Sequence, residues 1–232
     1  MNITDKIKKV RNNGGEVYIF SDLHILKRDK TISQMHVINS RVLENAQEEM
    51  SKITEKDMII FLGDLVDDTI PDTRTVGLIR ELFPDNIDMV WVRGNNDMLA
   101  DNILELEGFS VCYAALAKVD DRIFIFSHTS IEVDEFDNVY NIHGHMHRND
   151  DSTMLYYHDP TRCINVAPVC SLGKCYRLDW IIDMYIDIDY PSWMDNEWED
   201  GKEKPGMSRF IKNMAVDEYN EIYEIINGGD DE

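Results

Sequence analysis

Several large protein classes are excluded by what this chain lacks. No apolar run is long enough to span a bilayer, and Met1–Arg11 carries no secretory pattern, so neither a membrane helix nor a signal peptide is expected. Four cysteines, Cys112, Cys163, Cys170 and Cys175, include no C-x-x-C pair and are too sparse for a disulfide framework. They read as reduced thiols of a cytoplasmic protein. Basic residues are scarce: 23 Lys and Arg stand against 45 Asp and Glu, a net charge of −22. Such a surface repels phosphate backbones and argues against an extensive duplex nucleic-acid footprint. A small nucleotide or a strand end can still reach a locally positive site. No internal repeat or low-complexity linker marks a second domain.

What the chain has is an ordinary apolar content, 43% of 232 residues, enough for one domain with a substantial core. Its centre of gravity is Met58–Asp68, MIIFLGDLVDD. Met58–Leu62 has no polar break, as expected of a strand buried on both faces. Gly63 lets the backbone turn, and Asp64 follows at the strand's C-terminal end, where open α/β sheets place their chemistry. A carboxylate delivered from a dry strand needs a positive partner, and no Lys or Arg lies within several residues of it. A metal ion is the natural candidate.

Four other apolar runs end in the same way. Val17–Phe20 leads to Asp22 and His24; Met89–Val92 to Arg93-Gly94-Asn95-Asn96-Asp97; Ile123–Phe126 to His128; and Val139–Ile142 to His143-Gly144-His145-Met146-His147. One such strand end is commonplace. Five in a row, three of them delivering histidine, are not explained by turn chemistry alone.

The ordered set Asp22-x-His24, Gly63-Asp64-x-x-Asp67, Gly94-Asn95-Asn96-Asp97, His128 and Gly144-His145-x-His147 resembles the calcineurin-like metallophosphoesterases over about residues 16–185. The likeness is greatest to small single-domain members of bacteria and phages, in which N-x-H-G-H-x-H (here Asn141–His147) precedes a final strand-rich stretch. The resemblance implies an α/β fold, a four-layer α/β-β/α sandwich of two mixed sheets flanked by helices, with a two-metal centre between the sheets. It implies hydrolysis of a phosphoester by water activated between two cations about 3.5–4 Å apart. By match to the motifs, Asp64 bridges; Asp22, His24 and His147 complete one site, and Asn95, His128 and His145 the other. Imidazole and oxygen donors without thiolate suit Mn²⁺, the first choice from the resemblance, with Fe, Zn²⁺, Co²⁺ or Ni²⁺ as alternatives.

One departure stands out. Where the family usually has G-N-H-[DE], this chain has Asn96 in place of the histidine. In typical members that histidine, paired with the residue matched here by Asp67, is the proposed proton donor to the leaving group. Asparagine cannot act as an acid, and general acid catalysis contributes about 10²–10⁴-fold. Asp68 stands where the family's phosphoprotein phosphatases carry arginine, and its charge opposes a phosphomonoester dianion. Both departures point to a phosphodiester, of nucleotide or cyclic-nucleotide type, rather than a phosphoprotein. A phosphomonoesterase acting on a small molecule or a nucleic-acid end stays open, as does a non-catalytic scaffold.

Other residues keep two readings. Arg93 and Arg148 either hold substrate phosphate or balance the acidic cluster of Asp67, Asp68 and Asp97. Lys27, Arg28 and Lys30 either meet an anionic substrate or form a solvated loop. His143 is either an alternative acid or a partner orienting a ligand. His36 and His158 lie outside any motif. For secondary structure, the pattern predicts a first helix with Thr4 as N-cap, helices over Ser33–Ser51, Pro71–Phe83 and Met98–Leu106, one strand over Phe109–Val119, a hairpin at Asp120-Asp121, a strand over Arg162–Val166, and one or two strands within Tyr176–Ile188. Residues 1–190 are assigned to the phosphoesterase domain. Residues 191–232, an acidic loop and an amphipathic helix at Met207–Ile226, are taken as part of it, the helix packing on the core, or else serving a dimer contact or a cap over the site.

Overall fold

The computed structural model describes residues 1–25, 32–66, 72–84, 86–97, 99, 101–133, 136–146, 162–170 and 172–186, with backbone alone at 32–39, 72, 168–169 and 184–185. Two compact units are present, Met1–Ile181 and Ile182–Glu232. In the second, the described residues form a π-helical turn, Ile182–Ile186. The first holds everything below.

Four strands of the first sheet run parallel: β1 (Val17–Phe20), β2 (Met58–Phe61), β3 (Asp88–Val92) and β4 (Ser110–Cys112). With β9 (Tyr176–Arg177) antiparallel at one edge, the order is β4-β3-β2-β1-β9. The second sheet has the order β5-β6-β7-β8, formed by Ala114–Val119, Arg122–Ser127, Val139–His143 and Cys163–Asn165. Only β5 is antiparallel to its neighbour there. This is the expected architecture, two mixed sheets flanked by helices. Asp120, at φ 54°, makes the β5–β6 hairpin turn at Asp120-Asp121.

The dry runs of the sequence became central strands because both their faces are covered. Ile59, Phe61, Met89 and Trp91 enter one apolar cluster with Val42, Ala46 and Met50 of α2 (Ile32–Met50) and Leu78, Ile79 and Leu82 of α3 (Asp72–Leu82). Their alternates Met58, Ile60, Val90 and Val92 are equally buried. Trp91 sits in an aromatic group, its ring centroid 4.5 Å from Phe61, 6.2 Å from Phe83 and 5.7 Å from Phe109. Burying each such ring contributes about 1.5–3 kcal/mol. No helix among the described residues is long and apolar enough to cross a membrane.

Two expectations are corrected. The stretch Phe109–Val119 is two strands, not one: β4 pairs with β3 in the first sheet and β5 with β6 in the second. One straight strand cannot serve both partners, and the crossing falls at exposed Tyr113. Within Tyr176–Ile188, where one or two strands are expected, the described residues form one, β9, and α6 (Leu178–Ile181) follows it. Leu178 and Ile181 are buried three apart, at helical rather than alternating spacing. Finally, α1 (Thr4–Asn12) starts one residue after its cap, Ile3, and Thr4 is not the cap. Its N–H is received by Asn2 Oδ1 at 3.0 Å, while its hydroxyl accepts from Lys118 N at 3.0 Å. The helix expected from Met98 is observed as α4, Asp101–Leu106, preceding the short α5 (Ala167–Cys170) and α6. The stretches 187–232, with the proposed C-terminal helix, and 26–31, with Lys27, Arg28 and Lys30, lie outside the described residues.

Candidate metal centre

The parallel strands of both sheets deliver their ends to one place. Beyond β1 and β2 the pairing continues, Asp22 N donating to Gly63 O at 2.8 Å, His24 N to Asp64 O at 3.1 Å and Ile25 N to Leu65 O at 2.9 Å. Asp22 and Asp64 are thereby set side by side, 0% and 1% exposed. The second sheet supplies His128 from the end of β6 and His145 from the end of β7. The two exits are joined by Gly144 N to His128 O at 2.9 Å. His145 N then donates to Asp22 Oδ2 at 2.9 Å, linking the sheets.

Such close approach needs glycine at two positions. A Cβ on Gly94 would collide with Asp64 Oδ1, and one on Gly144 with Ser21 Oγ and Asp22 Oδ2. The backbone is also strained here: Asp22 (φ 52°), His24 (42°), Asp64 (60°) and His145 (68°) all adopt the left-handed conformation. Non-glycine residues held there cost on the order of 1–3 kcal/mol each and cluster at functional sites.

Two donor groups result. Asp64, His128 and His145 form one, and Asp22, His24 and Asp64 the other, with the ligand atoms of each group within 4.8 Å of one another. Asp64 belongs to both. His24 Nε2 lies 3.7 Å from Asp22 Oδ1 and 3.6 Å from Asp64 Oδ2, and His128 Nε2 lies 3.4 Å from Asp64 Oδ2.

The orientation of His128 tests whether cations fit. Its Nδ1–H donates to Leu62 O at 2.7 Å, which turns Nε2 toward the site. There Nε2 meets Asn95 Oδ1 at 2.9 Å and His145 Nδ1 at 3.2 Å. Oxygen and nitrogen lone pairs converging from three or four side chains require a cation between them, a proton or a metal ion. Burial alone would raise the Asp64 pKa, but His128, the Asn96 N–H and His24 outweigh it and hold the carboxylate below its ordinary range. Burial alone would depress His128, yet Asp64, Asp22 and the Leu62 carbonyl raise it. The donor set fits a divalent metal: anionic oxygen, imidazole and amide oxygen, without thiolate.

Of the remaining sequence candidates, Asn96 is turned onto Asp64. Its N–H donates to Oδ1 at 2.8 Å and its Nδ2 to Oδ2 at 2.7 Å. Arg93 is bound to Asp101, through Nε at 2.7 Å and a close ion pair, and to Asp97 O at 2.7 Å, so it braces the loop leaving β3. His143 is buried, with Nδ1–H donating to Gly144 O at 2.9 Å. Asp67, Asp68, His147 and Arg148 lie outside the described residues, as do the side chain of His36 and all of His158.

Three supporting residues carried no ligand signal. Asp97 accepts N–H groups from Asp64 (3.1 Å), Gly94 (2.8 Å) and the Trp91 indole (2.9 Å). Its burial, with the Asp64 charge adding, raises its pKa against those three donors. Ser21 donates its hydroxyl to Asp22 Oδ2. Asn141 accepts from Ile131 N at 2.7 Å and donates to Ser127 Oγ at 2.8 Å, fastening the segment after β6 to β7. Position inside the motifs was the available sign for Asp97 and Asn141.

Fold, strand-end donors and motif order define a metallophosphoesterase. The chain belongs to the calcineurin-like phosphoesterase family, whose model it matches over residues 15–203. No curated protein matches it. Among solved structures it is similar to a protein of unknown function from Aquifex aeolicus, at 16% identity over 73% of this chain and 98% of that one, TM-score 0.48. It is also similar to a Pseudomonas putida nuclease, at 20% over 56% and 61%, TM-score 0.40. A third likeness is to an archaeal phosphodiesterase, at 16% over 67% and 85%, TM-score 0.40.

Proposed function

We propose that this chain is a two-metal phosphodiesterase acting on nucleotides or cyclic nucleotides. The observation that supports the two-metal reading is the sharing of buried Asp64 by both donor groups. In this reading Asp22, His24, Asp64 and His147 would hold one cation, and Asp64, Asn95, His128 and His145 the other, with Mn²⁺ as the preferred ion. Bound there, two divalent cations would supply Lewis-acid stabilisation of the phosphoryl oxygens and a nucleophilic water at neutral pH.

The chain's own residues supply orientation. Leu62 O fixes the His128 tautomer, and Asp22 receives Ser21 Oγ and His145 N on one oxygen. No acid stands at Asn96, and its amide is engaged with Asp64, which leaves the leaving group without a proton from that position. This favours esters with good leaving groups, with Asp67 keeping the partner position of the absent acid. With Arg93 engaged by Asp101, Arg148 is the arginine we assign to substrate phosphate.

The test is a hydrolysis screen of mono-, di- and cyclic nucleotides and aryl phosphodiesters with added Mn²⁺. Diester cleavage that a chelator abolishes is the expected result. Cleavage of monoesters alone would shift the assignment to a phosphomonoesterase. Metal-free protein with no hydrolysis at all would leave the scaffold reading.

A further inference from the structure

We infer that the loop leaving β3, Gly94–Asp97, is a two-point clamp on Asp64, in which Asn96 fixes the carboxylate and Asp97 fixes the backbone; the inference rests on the two-metal reading proposed above. The last torsion of an aspartate is broad and two-fold, so a bare carboxylate has no preferred plane. Here one N–H meets each oxygen, Asn96 N on Oδ1 at 2.8 Å and Asn96 Nδ2 on Oδ2 at 2.7 Å. Two donors from one residue set that plane. A carboxylate has about four lone-pair positions, so each oxygen keeps capacity for a cation.

The second point of the clamp acts on the main chain. Asp64 is left-handed at φ 60°, and its N–H is received by Asp97 Oδ1 at 3.1 Å. Asp97 is itself immobilised through Oδ2, which takes Gly94 N at 2.8 Å and Trp91 Nε1 at 2.9 Å. Gly94 completes the fit, because a side chain there would strike Asp64 Oδ1. Asn96 and Asp97 are therefore positioning residues. They act on both donor groups at once, through the one ligand the groups share.

The experiment is calorimetric titration of the full-length, chelator-stripped chain with MnCl₂, beside thermal melting of the metal-free protein. Wild type is expected to take up two Mn²⁺. Asn96→Ala, at a half-buried position, is expected to weaken both by about 10–100-fold, as loss of a ligand-orienting partner does, with its metal-free melting near wild type. Asn96→Asp, which sets a second carboxylate against Asp64, should lose at least as much. Asp97→Asn, which turns an amide donor toward N–H donors, should weaken both sites similarly; Asn96→Ala decides the matter even if that variant unfolds. Two Mn²⁺ bound by Asn96→Ala with wild-type affinity would overturn the clamp. Tighter binding by Asn96→Asp would overturn it too, since position 96 would then face the ion and not Asp64. Wild type binding fewer than two ions would instead overturn the two-metal reading, and the clamp with it.

Discussion

The indole Nε1–H of Trp91 donates to Asp97 Oδ2 at 2.9 Å, so a ring buried among Phe61, Phe83 and Phe109 holds the loop that grips Asp64. Close-packed interiors resist small displacements. The rigidity of the first sheet's core therefore reaches the candidate centre through this bond as well as through the strand ends that carry Asp22 and Asp64. The effects expected of substitutions follow from this chain of contacts.

Asp64→Asn is expected to remove both metals and abolish activity, because the one anionic oxygen donor shared by the two groups becomes neutral. Metal content of the purified variant, measured beside hydrolysis, checks this. Two ions per chain with activity near wild type would mean that Asp64 is not a bridge.

Asn95→Ala and His128→Ala should each lose one ion in preference to the other. Both side chains stand on the His145 side, His128 Nε2 being 2.9 Å from Asn95 Oδ1. Metal counting on the two variants reads the result directly. An unchanged content of two would show that the ligands are divided differently.

For Asn96→His the expectation concerns slope, not rate. An imidazole restored at this position should raise turnover of esters with poor leaving groups relative to that of aryl diesters, since general acid catalysis is worth about 10²–10⁴-fold. Loss of the amide's bond to Asp64 will lower all rates together. The dependence on leaving-group pKa, measured for both proteins across aryl and alkyl esters, separates the two effects. An unchanged slope would refute the missing-acid reading.

Thiol chemistry offers an independent check of the fold. Burial pushes the Cys170 thiol well up, with Cys175 and Asp22 adding to it. It pushes Cys175 up strongly as well, where Glu49 accepts its S–H. Reactivity follows the thiolate, and raised pKa values leave almost none at neutral pH. Both cysteines should resist a disulfide reagent in the native protein and react once it is unfolded in guanidinium. Peptide mapping of the labelled sites decides it; rapid native labelling of Cys170 would contradict the packing against Ile19 O.

Much of this organisation was legible in the residues. Val17–Phe20 and Met58–Phe61 are visible because a strand covered on both faces must be dry throughout, and Gly63 and Gly94 mark where such strands must turn. The change of sheet at Tyr113 was hidden, because both halves of Phe109–Val119 are suited to strands and only the partner differs. Whether Tyr176–Ile188 holds one strand or two stayed open, because a short apolar run such as Leu178–Ile181, which is helical here, fits either period. At the site, the donors could be read from strand ends. The bonds of Asn96 and Asp97 to Asp64 could not, since they depend on how closely two loops approach in space.

The left-handed backbones of Asp22, His24, Asp64 and His145 set durability against geometry. At about 1–3 kcal/mol each, they hold free energy comparable with the whole margin by which a typical domain stays folded, about 5–15 kcal/mol. Glycine at any of the four would relax the chain and erase a donor in the same stroke. Heat resistance and ion capture therefore pull these four positions in opposite directions, and a search that rewarded thermal endurance alone would dismantle the centre first.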